Sequence, residues 1–227
     1  MEMANFFDTS VFIGYTYCDD DWRVASEGML QGSSMKLTSD RAKNEYLKKH
    51  RYFQRVRRGG LIQLRDRIAD SVGCGSATLS SDEVENLVPQ IQNDERNTEW
   101  LRSTAKKLAK KSSYKVEICK RIDRFMDYYF RFSTERMDDI IGWCLPSVMI
   151  IECYPRFQTY PGILEIFQSN GMLNEDDNEI ILDAHDFCKL CNESIDLVTG
   201  DYQDYKRHEA IITSNTYISN IIYLGDC

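Results

Sequence analysis

The stretch NFFDTSVFIGY, residues 5–15, sets one carboxylate, Asp8, between Phe6 and Phe7 on one side and Val11, Phe12 and Ile13 on the other. An ionised group buried in so apolar a run needs a cation or several hydrogen-bond donors. The stretch itself contains no Lys or Arg. The partner must come from a distant part of the chain or from a metal ion. The segment reads as a short buried strand that ends at Asp8, with a turn or helix start at Thr9-Ser10.

Outward from this strand, the chain alternates. Residues 21–30 have helical character and 35–37 form a brief strand. Thr38-Ser39-Asp40 then opens a helix, because their side-chain oxygens can take its free backbone N–H groups. That helix is strongly basic, and Gly59-Gly60 is expected to break it before 61–72. A small-residue loop, GCGSATLSS, covers 73–81. Trp100, Leu101, Ala105 and Leu108 recur at helical spacing, and 114–141 is a further long helix. Residues 148–153 are apolar and β-branched, which predicts a strand. A short helix over 161–167 is ended by Asn170-Gly171. An amphipathic helix over 176–191, a strand over 195–199 stopped by Gly200, a helix or loop over 202–214 and a last strand at 221–224 complete the chain.

Strand–helix–strand order with short apolar strands points to a parallel sheet covered on both faces. The expected class is α/β, a three-layer α/β/α sandwich with a short central parallel sheet and a large all-helical insertion. The core is assigned to residues 1–52 and 147–227, and the insertion to 53–146.

The chain has 227 residues, 42% hydrophobic and 28% charged, which suits one large domain or one domain carrying an insertion. Met1-Glu2-Met3 lacks the basic start of a secretory leader. The longest apolar stretch, 140–151, is interrupted by Pro146 and Ser147 and is too short for a bilayer, which needs ~20 residues. A cytoplasmic location with no membrane partner is expected. The eight cysteines are irregularly spaced, so reduced thiols are the default. His185, Cys188 and Cys191 share a helix face, but no second pair completes a tetrahedral zinc site. Three half-buried helix residues are the better reading.

Charge is unevenly distributed. The net value is −8, yet residues 36–67 carry 11 Lys/Arg against three Asp/Glu, and 102–124 carry nine against two. Residues 138–227 carry four against 16. Basic surfaces beside an acidic site suit a polyanion. Candidate phosphate-binding residues are Lys43, Lys48, Lys49, Arg51, Arg55, Arg57 and Arg58, continued by Lys107, Lys110 and Lys111 in the helical middle. Tyr46, Tyr52 and Phe53 are candidates for stacking on unpaired bases.

In open parallel sheets, sites form beyond the carboxyl ends of the strands. Asp8 ends the first strand, and Asp201 follows the strand of LVTGDYQDY. Glu45 sits early in the helix after Thr38-Ser39, and Asp177 opens the helix of DNEIILDAHDF. Together DTSVFI, TSDRAKNE, DNEIILDAHDF and LVTGDYQDY resemble the four acidic signatures of the PIN-domain nucleases, in the family's order. The resemblance covers about residues 3–50 and 147–226 and leaves the helical middle without a counterpart. It implies a catalytic set of Asp8, Glu45, Asp177 and Asp201, with Asp183 also open as the third metal acid and Asp204 as a supporting acid.

Carboxylates ~4 Å apart repel by about 4 kcal/mol per pair at an effective dielectric of 20. Hard oxygen ligands suit one or two Mg²⁺ or Mn²⁺ ions, which also accept phosphate oxygens. Thr9, Ser10 and Thr199, with Asp204, are placed to orient the ligating acids. The expected function is therefore a metal-dependent endoribonuclease, hydrolysing RNA phosphodiesters through metal-activated water. The resemblance implies a role as a toxin or in RNA processing or defence, with an inhibitory antitoxin-like protein or a homodimer as partners. Alternatives are a structure-specific or single-strand DNA nuclease, and a non-catalytic scaffold that binds RNA or protein.

Overall fold

A parallel neighbour strand can be reached only by crossing one face of the sheet, so short strands separated by helices pair in parallel. The computed structural model describes residues 4–17, 19, 21–71, 77–91, 95–110, 114–172 and 174–227. Among these, five strands form one sheet: β1 (Ala4–Phe7), β2 (Lys36–Ser39), β3 (Met149–Ile151), β4 (Ile195–Thr199) and β5 (Ile218–Tyr223). Their order is β3-β2-β1-β4-β5, and every pair is parallel. The chain thus steps outward one way from β1 through β2 and β3, and the other way through β4 and β5.

The described helices are α1 (Thr9–Thr16), α2 (Arg23–Gln31), α3 (Asp40–Asp70), α4 (Ser81–Glu85), α5 (Glu95–Ala109) and α6 (Lys115–Asp139). The later ones are α7 (Leu145–Ser147), α8 (Pro161–Ser169), α9 (Glu175–Cys191) and α10 (Glu209–Asn215). Alternate strand residues feed opposite faces of the sheet. Phe6, Leu37, Leu197 and Ile221 join Ile180, Ile181 and Ala184 of α9 in one core. Phe7 and Val198 enter the other with Phe12 and Tyr15 of α1, Leu30 of α2 and Tyr46 of α3. Both faces are covered, as an α/β layering requires. Phe6 and Phe7 are fully buried on opposite faces, about 1.5–3 kcal/mol each, and they fix where β1 ends.

Contact density divides the chain into two compact units, Met1–Lys48 with Phe132–Cys227, and Lys49–Arg131. The sheet belongs to the first. Among the described residues the second is largely helical, with one isolated bridge between Thr78 and Tyr114. The sequence placed the divisions at 52/53 and 146/147. They fall instead at 48/49 and 131/132, inside α3 and α6, where no turn residue marks a boundary.

Gly59-Gly60 does not break the helix. α3 runs 31 residues without interruption, because Phe53, Leu61, Leu64 and Ile68 present one continuous buried stripe. Two glycines cost about 1 kcal/mol each against Ala, less than that packing returns. The helix ends around α8 and α9 follow the expected chemistry. Gly171 takes φ +86° just after α8, and Asn192 takes φ 54° after α9, left-handed conformations that close a helix. Of the loop expected over 73–81, residues 73–76 lie outside the described residues. Among the described residues, no helix is long and apolar enough to cross a membrane.

Candidate active site

The winding reverses between β1 and β4, and beyond the carboxyl ends of such strands open α/β sheets gather their sites. Asp8 follows β1 directly, and its N–H donates to Val198 O of β4 at 3.1 Å. It is 3% exposed. Although it holds the position that precedes α1, its side chain does not cap the helix. Instead Oδ2 accepts the hydroxyls of Ser10 at 2.8 Å and Thr199 at 2.7 Å. These hydroxyls accept in turn, Ser10 Oγ from Gly200 N–H at 2.6 Å and Thr199 Oγ1 from Asp201 N–H at 2.9 Å. The ends of β1 and β4 are thereby stitched together around one carboxylate. Gly200 is required there, since a Cβ would lie 2.5 Å from the Trp22 ring.

Glu45 comes from the second turn of α3. Ser39 Oγ accepts Ala42 N–H at 3.2 Å and sets the start of that helix. Thr9 Oγ1 donates to Glu45 Oε2 at 2.5 Å and leans on Ala42 O at 3.3 Å. Asp177 comes from the first turn of α9. Its Oδ1 accepts the hydroxyl of the fully buried Tyr205 at 3.2 Å, and its Oδ2 accepts the side-chain amide of Asn174.

Burial, then the charges of Asp8, Asp204 and Glu45, push the Asp177 carboxyl up to about 8, against the opposing Tyr205 hydrogen bond. The Tyr205 hydroxyl is raised by its own burial and by the charges of Asp8, Asp177 and Glu45. Asp8, Glu45 and Asp204 therefore stand close enough to Asp177 to raise its carboxyl through their charges. No family model, curated protein or solved structure matches this chain.

Two expected acids sit differently. Asp201 is turned to its own loop, with Oδ1 accepting Asp204 N–H at 3.0 Å. This turn holds Asp204 in the field at Asp177. Asp183, expected among the metal acids, is instead paired with a cation. It is fully buried and accepts Arg156 Nε–H at 2.8 Å. Its neighbour Asp186 accepts Arg156 Nη1–H at 2.5 Å, together with the hydroxyls of Tyr154 and Tyr160. Six residues along a helix amount to about 1.7 turns, enough to separate Asp183 from the face of Asp177.

The basic candidates divide in the same way. Lys43 pairs with Asp40 at 2.6 Å. Arg57 lies over the rings of Phe53 and Trp100 at 4.5 and 4.7 Å and donates to the Tyr129 hydroxyl; it serves packing. Arg58 lies 5.8 Å from the Phe130 ring centre. Lys48, Arg51, Arg55, Lys107 and Lys110 are exposed, Lys49 is half-buried, and Lys111 lies outside the described residues. Tyr46, a stacking candidate, is fully buried against Phe12 and exchanges a hydrogen bond with Thr16 at 2.9 Å. Phe53 is buried beneath Arg57, while Tyr52 remains partly exposed. His185 is buried, with Nδ1 accepting Tyr217 N–H at 3.2 Å. Cys188 is buried, its thiol pushed up to about 11 by that burial, and Cys191 is exposed.

Tyr205 and Asn174 escaped the sequence reading. Tyr205 stands next to Asp204 inside the same acidic motif, which is the one signal that pointed to it. Among the described residues, no three His, Cys, Asp or Glu side chains stand as a ready-made metal cage. The donor set nevertheless suits a hard divalent cation, since it offers carboxylates and hydroxyls and no thiolate or imidazole. The raised Asp177 carboxyl shows what such a charge would relieve.

Proposed function

We propose that this chain is a PIN-like, metal-dependent endoribonuclease whose active centre is formed by Asp8, Glu45, Asp177 and Asp204. The observation that carries this reading is the Asp177 carboxyl, pushed up to about 8 by burial and by Asp8, Asp204 and Glu45 at the carboxyl end of the sheet. At Asp177, burial and acidic neighbours dominate over its hydrogen-bond donors. Perturbed carboxylates in a crevice at a winding reversal are the usual mark of a working site.

Asp8, Glu45 and Asp177 would hold one or two Mg²⁺ or Mn²⁺ ions, with Asp204 beside them. When bound, such ions supply Lewis-acid stabilisation of phosphodiester oxygens and a hydroxide nucleophile near neutral pH. The chain's own residues perform the positioning. Ser10 and Thr199 fix the rotamer of Asp8, Thr9 fixes Glu45, and Tyr205 and Asn174 fix Asp177. With an ion bound, Asp177 would be held ionised, because the cation would offset the neighbouring charges that raise it in the metal-free site. The exposed Lys48 extends α3 past Glu45 as a contact for the phosphate backbone. Residues 49–131 are, in this reading, a helical insertion that presents further basic side chains.

The test is cleavage of end-labelled single-stranded and hairpin RNA, and of matched DNA, in Mn²⁺ and in EDTA. Cleavage of RNA in Mn²⁺ that disappears in EDTA and in Asp8→Asn is expected. Full activity in Asp8→Asn, or inactive wild type that is folded and nuclease-free, overturns the proposal. Preference for the DNA strand moves the substrate class and leaves the site.

A further inference from the structure

A cavity of about 380 Å³ opens where α3, α8 and the first turn of α9 meet, within the ~300–1,000 Å³ span of small-ligand pockets. It adjoins the acid centre through two helices. Arg41 in its wall stands one turn before Glu45 on α3, and Asp176 at its rim precedes Asp177 on α9. Pro155, Phe157 and Leu164 make the remaining walls apolar, and the Phe157 ring is 46% exposed.

Glu179 builds the floor. Its Oε1 accepts Phe157 N–H at 2.8 Å, and its Oε2 accepts Arg156 N–H and Arg41 Nη2–H, both at 3.0 Å. With these contacts Glu179 fixes the backbone that carries the aromatic ring and fixes the guanidinium. Among the described residues Arg41 makes no other hydrogen bond: its Nη1 stands 3.9 Å from Asp176, and its buried Nε stands 3.9 Å from Asp183 Oδ2, beyond hydrogen-bonding distance. The cavity therefore offers an aromatic face, one guanidinium with spare donors, and two rim carboxylates, Glu175 and Asp176, as acceptors.

That donor and acceptor order can be matched against the four bases. Uracil has one ring N–H between two carbonyls, and cytosine and adenine each have a single amino group. Guanine alone presents two adjacent donors, N1–H and the 2-amino group, to a carboxylate, while O6 and N7 accept an arginine fork. Unpaired bases in RNA are commonly read in this way, stacked on an aromatic ring and hydrogen-bonded at their edges. Resting on the nuclease reading above, we infer that this cavity receives an unpaired guanine of the RNA, next to the phosphodiester that is cut. The phosphate itself is kept away from Glu175 and Asp176 by like charge, so the base and not the backbone enters.

The test measures binding without cleavage. Fluorescein-labelled UUGUU, UUAUU, UUCUU and UUUUU RNAs are titrated with the full chain in EDTA and followed by anisotropy. UUGUU should bind about tenfold more tightly than the other three, the discrimination of one good bidentate contact. The surface double variant Glu175→Ala/Asp176→Ala and the cavity-filling Leu164→Trp should each reduce UUGUU to the level of the others. Equal affinity for the four RNAs overturns the inference, as does guanine preference that survives in both variants. Cleavage in Mn²⁺ separates the two readings. Guanine-selective binding without cleavage removes the nuclease and keeps the pocket, whereas cleavage with no base preference does the reverse.

Discussion

Helix α9 carries two sets of acids that meet opposite fates. In its middle, Asp183 and Asp186 are buried around Arg156, itself 1% exposed, with Arg156 N–H groups at 2.8 and 2.5 Å. The guanidinium is completed by Glu152 O at 3.0 Å and rests over the Tyr154 ring. In its first turn, Asp177 accepts from two neutral donors among the described residues and faces further carboxylates. Burial raises the carboxyl of Asp183 as well, but Arg156 and Arg41 oppose it. At Asp177 the neighbouring charges add to burial. Burial raises both carboxyls; what separates them is that Arg156 opposes the rise at Asp183, whereas neighbouring carboxylates add to it at Asp177.

The sharpest way to break this comparison is to remove the counter-charge. Arg156→Met should destabilise the protein by about 3–5 kcal/mol in chemical denaturation, because two buried carboxylates lose their partner. A stability within error of wild type would mean that the pair is not what holds this region. Asp177→Asn should do the opposite. It relieves repulsion, so melting temperature in EDTA should hold or rise. RNA cleavage should fall by more than the ~10–100-fold that residues behind a metal ligand cost. A loss of stability comparable to that of Arg156→Met would erase the distinction between the two sets.

Acidity sharpens it further. The Asp177 carboxyl lies near 3.8 in the unfolded chain and is raised to about 8 by folding. Between these values the folded state binds more protons than the unfolded one, so this group's contribution is fully present below pH 4 and is lost as pH rises through 8. Melting curves from pH 5 to 9 in EDTA should show that decline, and Asp177→Asn should flatten it. Added Mn²⁺ should restore stability most at the alkaline end, where no proton competes for the carboxylate. A decline unchanged in Asp177→Asn would assign the titration to another group. Tyr205→Phe removes one hydrogen bond to Asp177 and should lower cleavage about tenfold. Smallest of all, Asp201→Ala loses a turn contact and should cost about 0.5–1.5 kcal/mol of stability, measured by urea denaturation.

Much of the architecture was legible along the chain because it rests on local pattern. Short apolar runs beside helix periodicity signal strands in a parallel sheet, and Asn170-Gly171 signals the end of α8. Gly59-Gly60 misled, since a continuous buried stripe outweighs two weak helix formers. Among the acids, Asp8 stood out because its neighbours on both sides are apolar, and the helix starts drew attention to Glu45 and Asp177. The charge that Asp204 brings to Asp177 was beyond local reading, because Asp201 and Asp204 lie in one acidic loop and only the fold sets Asp204 beside Asp177.

The sequence by itself determined the strands, the helices and a short list of acids, since each depends on neighbours a few residues away. Which acids are compensated was decided only in three dimensions. Arg156 lies 27 residues from Asp183 and Thr199 lies 191 from Asp8, and Coulomb's law acts on distance in space, not along the chain.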